Sequence, residues 1–307
     1  MEAEAGDGSG GAGTPHDVSS GAALASTSAR DADDTIIEFR GVSKSFGSKQ
    51  VLRDVSFTIR RGEAVGIIGP SGTGKSTVLR LICGLIAPDS GEILLNGVPS
   101  DRVDDTQGSE SALSMRLQLG LVFQNGALFD SLTVAENVGF RLYEHSRLPE
   151  STIKAMVSEN LAKVGLNGIE ERYPSELSGG MKKRVALARA ITTEPHTRGD
   201  GVEEVVLYDE PTAGLDPVAS TVVEDLMRSM HERHGQAGGG GGACGGVVTY
   251  VVVTHQESTI KRAVDRIVFL HKGRVVWEGT QAEFDQTDEE IVVQWKQGGL
   301  IGPISYI

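Results

Sequence analysis

The chain is short of cysteine, has no long apolar run and carries no excess of positive charge. Two cysteines occur in 307 residues, Cys83 in an apolar helical pattern and Cys244 in a glycine tract. Neither has metal-ligand spacing, and two thiols make no disulfide framework, so the chain reads as one of a reducing compartment. The longest apolar stretch, Val247–Val253, contains Thr249 and falls far short of the roughly 20 residues that a spanning helix needs. Action at a membrane would then require docking on another chain that crosses it. The formal net charge is −13. Seven acids and one base in residues 1–34 give that segment −6 and leave −7 for the rest. A body this acidic argues against nucleic acid as a partner, because such binding rests on neutralising phosphates. The first 34 residues also lack the Arg-rich, acid-poor character of a transit peptide. Rich in Gly, Ala, Ser and acids and without periodicity, they read as disordered.

What is present is an alternation of strands and helices over a composition that is 39% hydrophobic, enough for a buried core. Thr35–Arg40, Val51–Ile59, Ala64–Ile68, Glu92–Leu95, Leu119–Phe123, Glu204–Tyr208, Val247–Val253, Arg266–Leu270 and Arg274–Trp277 carry strand patterns. Gly74–Leu85 and Pro217–Arg233 carry helical ones. Residues 125–185 are mostly helical in pattern, broken at Pro149, Gly165, Gly168 and Pro174, and read as a helical subdomain inserted into a strand–helix core. The order predicts an α/β fold with a mostly parallel sheet. His196–Gly201 and the glycine-rich Gly235–Gly246 read as solvent loops.

Gly69-Pro70-Ser71-Gly72-Thr73-Gly74-Lys75-Ser76-Thr77 fits G-x-x-x-x-G-K-[ST] in full, after an apolar strand and before a helix. Its glycines let backbone N–H groups wrap phosphates, Lys75 reaches the β- and γ-phosphates of ATP, and the Ser76 hydroxyl binds Mg²⁺. Val205–Tyr208 is an apolar run that ends in Asp209 and Glu210. Charge is costly to bury, so adjacent acids behind a phosphate loop point to work: Asp209 for Mg²⁺, Glu210 as general base for the attacking water. Ser178, Gly179 and Gly180, within Leu177–Met181, open a second helix with bare N–H groups and a favourable dipole end, which makes a second anion cradle. Two cradles with one set of carboxylates predict a homodimer, each cradle closing on the partner's nucleotide.

These motifs make residues 35–307 resemble the ATP-binding cassette (ABC) family. The resemblance implies a P-loop NTPase (RecA-like) nucleotide-binding domain over 35–284, with an antiparallel β subdomain and a helical subdomain at about 125–185. A C-terminal extension follows at 285–307. It also implies that Gln124, in Gly120–Gln124, senses Mg²⁺ and the attacking water, that His255 contacts the γ-phosphate and holds the water, and that Leu215 and Asp216 couple the two sites. Phe46, in Val42–Gly47, is either a half-buried strand aromatic or the residue that stacks on adenine, with Val51 or Val55 adding apolar contact.

Three stretches narrow the resemblance: GLVFQNGALFDSLTVAENVGFRLY at 120–143, LSGGMKKRVALARA at 177–190 and IVVQWKQGGLIGPISYI at 291–307. They look like the ATPases of Mla-type phospholipid transport systems, which work with an MCE-domain lipid carrier and a multi-spanning permease. Within these, VLYDEPTAGLDPVASTVVEDL and VVTHQESTIKRAVDRIVFL are most similar to the trigalactosyldiacylglycerol-type ATPases of plant and algal chloroplasts. That likeness implies movement of phosphatidic acid or a related glycerolipid at the chloroplast inner envelope, with the ATPase on the stromal side. The bacterial counterpart would sit on the cytoplasmic face of the inner membrane. An ATPase for a polar-solute importer, or a non-transport cassette, is the competing reading. Leu128, Phe129, Leu132, Val134 and Val138 are either a groove for a permease helix or the subdomain's own core. Val292, Val293, Trp295, Leu300 and Ile301 are apolar residues suited to bracing a dimer.

Overall fold

The structure, a computed structural model, describes residues 34–100, 117–193, 203–235, 249–299 and 301–304. The acidic segment at 1–33, the insertion at His196–Gly201, Cys244 and the rest of 236–246 lie outside them. The strands are β1 (Thr35–Phe46), β2 (Lys49–Arg60), β3 (Ala64–Ile68), β4 (Ser90–Leu95), β5 (Val98–Pro99), β6 (Leu117–Val122), β7 (Glu203–Asp209), β8 (Thr249–Val253), β9 (Arg266–His271) and β10 (Arg274–Thr280). The helices are α1 (Lys75–Ile82), α2 (Val134–His145), α3 (Glu150–Lys163), α4 (Gly179–Ile191), α5 (Pro217–Gly235), α6 (Glu257–Ala263), α7 (Gln281–Gln286) and α8 (Glu290–Gln297).

Two sheets form. One is antiparallel, in the order β2-β1-β4-β5. The other runs β10-β9-β3-β8-β7-β6 and is parallel except for the edge strand β10. Every residue of β3 and of β8 is buried, as expected of parallel strands covered on both faces. Successive side chains point to opposite faces and so build two cores. Val65, Ile67, Leu207, Val251 and Val253 pack toward the antiparallel sheet and α1. Ala64, Ile68, Tyr208, Tyr250 and Val252 pack toward the other helices. The Tyr208 and Tyr250 rings meet edge to face at 5.7 Å, under the middle of the sheet.

α2 starts at a reciprocal cap: Thr133 Oγ1 accepts from the Glu136 N–H, and the Glu136 carboxylate accepts from the Thr133 N–H. Buried Asn137 donates to the Phe129, Leu132 and Thr133 carbonyls, which fixes the loop between β6 and α2. α2, α3 and α4 then share Val138, Val157, Leu161 and Val185 in one core.

β1 is longer than the sequence pattern indicates. Its alternation breaks at Gly41, where the backbone turns to φ +59 and the pairing slips between Phe39 and Val42, so the strand continues past a bulge that reads as its end. The C-terminal helices α7 and α8 were not legible as helices. They dock through aromatics: Phe284, fully buried, meets Trp277 at 5.6 Å and Trp295 at 6.1 Å. Val292 and Ile304 are buried in the same core, and Gln294 is bonded to both N–H and C=O of Ile304. Ile301 stands out, 95% exposed.

Truncating the central aromatic should loosen this end of the molecule. Phe284→Ala is expected to lower stability by about 3–5 kcal/mol, the usual cost of emptying a buried aromatic site. Urea unfolding of the variant beside the parent measures it, and a loss below about 1 kcal/mol would show that the C-terminal helices are not part of the cooperative core.

Candidate functional site

The parallel strands β3, β8, β7 and β6 are neighbours and all end at one edge, where α/β sheets bind ligands. β3 passes into the loop 69–74. Gly69 has φ +141, and a Cβ there would collide with the Leu270 carbonyl; one at Gly74 would lie 2.6 Å from Leu52 Cδ2. Only glycine lets this loop lie so close to β9 and β2. The Lys75 ammonium sits inside it, donating to the carbonyls of Gly69 at 2.8 Å and Pro70 at 3.0 Å. The side chain is buried, which lowers its pKa, while the Glu210 and Asp209 carboxylates push it back up. α1 begins at Gly74 with no side-chain cap, so its first N–H groups are left for an anion. A bowl of glycine backbone around a buried ammonium fits a polyphosphate.

β7 delivers the acids. Ser76 Oγ donates to Asp209 Oδ1 at 2.8 Å. Burial pushes the Asp209 carboxyl up, partly offset by that hydrogen bond. A hydroxyl and a carboxylate in contact are hard oxygen donors and fit Mg²⁺, which takes few protein ligands and completes its shell with phosphate oxygens and water. Among the described residues no group of three or more His, Cys, Asp or Glu offers a metal site of its own.

Glu210 departs from the strand with φ +49, a region that non-glycine residues rarely occupy. Its N–H donates to the Val253 carbonyl at 2.9 Å, which ties it to the end of β8. Two residues on, His255 Nδ1 lies 2.9 Å from Glu210 Oε1 and 2.8 Å from Oε2. A carboxylate only accepts, so Nδ1 carries the proton and Nε2 is left for another partner. The histidine side chain is 57% exposed and the glutamate 12%, so the pair lines the edge of the site rather than its floor.

Gln124 stands two residues past the end of β6 at Val122, exposed in the turn that follows. Phe46 ends β1 and is 47% exposed, with the Lys44 ammonium 5.7 Å from its ring centre. It is a projecting aromatic, not a core residue. Val55 is fully buried in the core between the sheets and has no free face, so only Val51 of that pair can line a ligand. Ser178 caps α4, its Oγ accepting from the Met181 N–H at 3.3 Å. Gly179, Gly180, Leu215 and Asp216 line a cleft of about 300 Å³ to which none of residues 69–77 contributes. A Cβ at Gly179 or Gly180 would meet its own chain only at 3.7 or 3.6 Å, ordinary contact. Packing within the chain therefore does not require glycine here. Asp216 Oδ1 accepts from the N–H groups of Val218 and Ala219, a cap for α5.

The apolar group after Gln124 divides. Val134 and Val138 are buried in the subdomain core, while Phe129 is 45% exposed and its ring meets that of Phe140 in a tilted contact at 4.8 Å. Leu132 and Phe140 line an open groove with Tyr143 and Leu148. Sequence reasoning passed over two cations of α4. Lys183, 9% exposed, donates to the carbonyls of Glu210 at 3.2 Å and Ala213 at 2.7 Å. Arg189 donates at 2.7 Å to the carbonyls of Gly126 and of Ala127. The only signal was their spacing on a helix whose neighbouring positions are small and apolar.

The raised pKa of Asp209 has a consequence. A carboxyl whose native pKa lies above its unfolded value favours the fold while protonated, and that contribution is lost as pH rises through the native value. Asp209→Asn keeps an acceptor for Ser76 without the charge. It is expected to raise the nucleotide-free melting temperature at pH 7, with the gain shrinking toward pH 4. A lower melting temperature at pH 7 would contradict this reading of the half-buried charge.

Comparison with known proteins agrees with the geometry. Residues 52–213 match the ABC transporter family. The chain is 54% identical over 275 residues to Protein TRIGALACTOSYLDIACYLGLYCEROL 3, chloroplastic, of Arabidopsis thaliana, covering 89% of this chain and 76% of that one. It is 34% identical over 273 residues to the intermembrane phospholipid transport system ATP-binding protein MlaF of Escherichia coli, covering 88% and 92%. Among solved structures, the post-hydrolysis dimer of the ATP-binding cassette MJ0796 bound to ADP and Pi matches with a TM-score of 0.65 and 30% identity, covering 80% of this chain and 98% of that one. A phosphate bowl, paired acids and a second helix-borne cradle at these positions, with relatives this close, lead to one conclusion: the chain belongs to the ABC transporter family, as an ATP-hydrolysing subunit coupled to transport.

Proposed function

We propose that this chain powers the movement of a phosphatidic acid-type glycerolipid between or across membranes, at the stromal face of the chloroplast inner envelope. The observation that carries the lipid reading is the 54% identity to a chloroplastic lipid-named protein across 89% of the chain. The likeness to an ATPase of intermembrane phospholipid transport supports it. Among the described residues no helix is long and apolar enough to cross a membrane. The coupling partner in this scheme is a permease, joined by an MCE-domain lipid carrier. Residues 35–284 act as the ATPase domain and 285–307 as an extension, of which α8 packs on the core. An acidic chain of net charge −13 has no nucleic-acid partner in this scheme.

In this reading two copies bind ATP between them. Phe46 stacks on adenine. The N–H groups of Gly69–Gly74 and the Lys75 ammonium hold the phosphates, with Thr77 in the first turn of α1. Ser76, Asp209 and Gln124 would hold Mg²⁺, which neutralises charge that develops on the transferred phosphoryl group. Ser178, Gly179 and Gly180 of the partner close over the γ-phosphate. Glu210 takes the proton of the attacking water, and His255, oriented by its Nδ1–H bond to Glu210, positions that water. Closure is favoured only as far as ATP binds the closed dimer better than the open one, and that difference drives the permease. Gln124 and the loop behind it lie between the nucleotide edge and α2, where they relay closure to the helical subdomain.

Glu210→Gln tests the base. It should bind ATP and form the ATP-dependent dimer, with turnover lowered on the order of 10²-fold or more. Rapid hydrolysis by this variant would overturn the assignment. Purification of the intact complex tests the cargo: a multi-spanning permease, an MCE-domain chain and bound glycerolipid are expected. A permease accompanied by a soluble binding protein for a polar solute would overturn the lipid reading.

A further inference from the structure

The positive-φ backbone of Glu210 needs something to hold it. A glutamate at φ +49 leaves the strand ladder, so its carbonyl loses the partner that an extended residue would have. That carbonyl receives the Ala213 N–H at 3.2 Å and the Lys183 ammonium at 3.2 Å. The same ammonium donates to the Ala213 carbonyl at 2.7 Å. One nearly buried cation thus clamps both ends of the turn that follows the paired acids. It comes from α4, whose first residues Ser178–Gly180 form the second cradle.

We propose that Lys183 is a positioning residue for hydrolysis: it holds the Glu210 backbone in the left-handed conformation and ties it to the helix that closes on the partner's nucleotide. The inference rests on the reading of Glu210 as base and goes beyond it, because it assigns the strained backbone a dedicated restraint. Two features of the site support it. Burial alone would favour a neutral amine at Lys183, and the Glu210 charge opposes that, so the ammonium is kept where it faces carbonyl oxygen and carboxylate. In addition, the side chain spans two elements, α4 and the turn at 210–213, while the next cation, Arg184, donates elsewhere, to the Val164 and Gly165 carbonyls. Movement of α4 toward a nucleotide on the partner therefore acts on the base of its own chain.

The test compares Lys183→Met, Lys183→Arg and Glu210→Gln in the dimeric full chain, with steady-state ATP hydrolysis, ATP binding and thermal melting measured on each. Methionine keeps the length and removes the donors; arginine keeps charge and donors. Lys183→Met should lower kcat about tenfold or more, with KM and ATP affinity within about twofold of the parent, and Lys183→Arg should recover most of the loss. If Lys183→Met turns over like the parent while Glu210→Gln is slow, the role of the lysine is overturned and the base stands. If Lys183→Met loses ATP affinity and melting temperature in parallel with kcat, and arginine does not rescue it, the lysine is a packing residue and the proposal fails. If Glu210→Gln itself hydrolyses rapidly, the base reading fails, and the proposed target of the lysine fails with it.

Discussion

Everything at the working edge of this molecule follows from the cost of burying charge and unpaired backbone at the ends of parallel strands. β3, β7 and β8 must bring Lys75, Asp209 and Glu210 together without water to solvate them fully. The structure meets that demand with short polar contacts in place of solvent: ammonium to loop carbonyls, hydroxyl to carboxylate, imidazole to carboxylate. Each of these contacts is one that a phosphate, a cation or a water can replace. The site is thus held in shape by interactions that its ligands exchange for their own, and the half-buried Asp209 carboxyl, pushed up by desolvation, shows what the missing solvent costs.

Helix α4 is the second organising part. Its N-terminus presents bare glycine N–H groups in a cleft apart from the phosphate loop. Lys183, one turn on, reaches the carbonyls after the paired acids. Arg189, near its other end, reaches the carbonyls of the loop behind Gln124. One rigid element therefore touches the second cradle, the base and the start of the helical subdomain. In the proposed dimer, a nucleotide bound by one chain would pull on this helix of the other, and the two carbonyl clamps would carry the displacement to Glu210 and to the helical subdomain. The lipid itself needs no place in this machinery. Closure supplies the work, and the permease decides what moves.

Much of this was legible in the sequence, for identifiable reasons. β3 was read at its observed bounds because five apolar residues run between polar Glu63 and Gly69. β7 was marked by apolar residues that end abruptly in two acids. The phosphate loop and the second cradle are written in glycines whose spacing has few other uses. What escaped notice depends on orientation, which composition does not encode. Lys183 stands in a run of three cations whose sequence does not say which of them faces inward, and only the fold turns it onto carbonyls. Val55 and Phe46 sit on the same hairpin, one in the core and one projecting, and the bulge at Gly41 hides which is which. The aromatic docking of α7 and α8 joins Phe269 to Trp295 across a stretch of irregular chain, a contact with no local pattern.

The central claim is that the two cradles serve one nucleotide only when they come from different chains. Mixing two inactive variants tests it most directly: Lys75→Ala, which spoils the phosphate bowl, and Ser178→Arg, which fills the second cradle. A mixed dimer would contain one site with both cradles intact and one with both spoiled. ATP hydrolysis is predicted to reappear on mixing, though each variant alone is inactive. A mixture as inactive as its components, with mixed dimers demonstrably formed, would contradict the account.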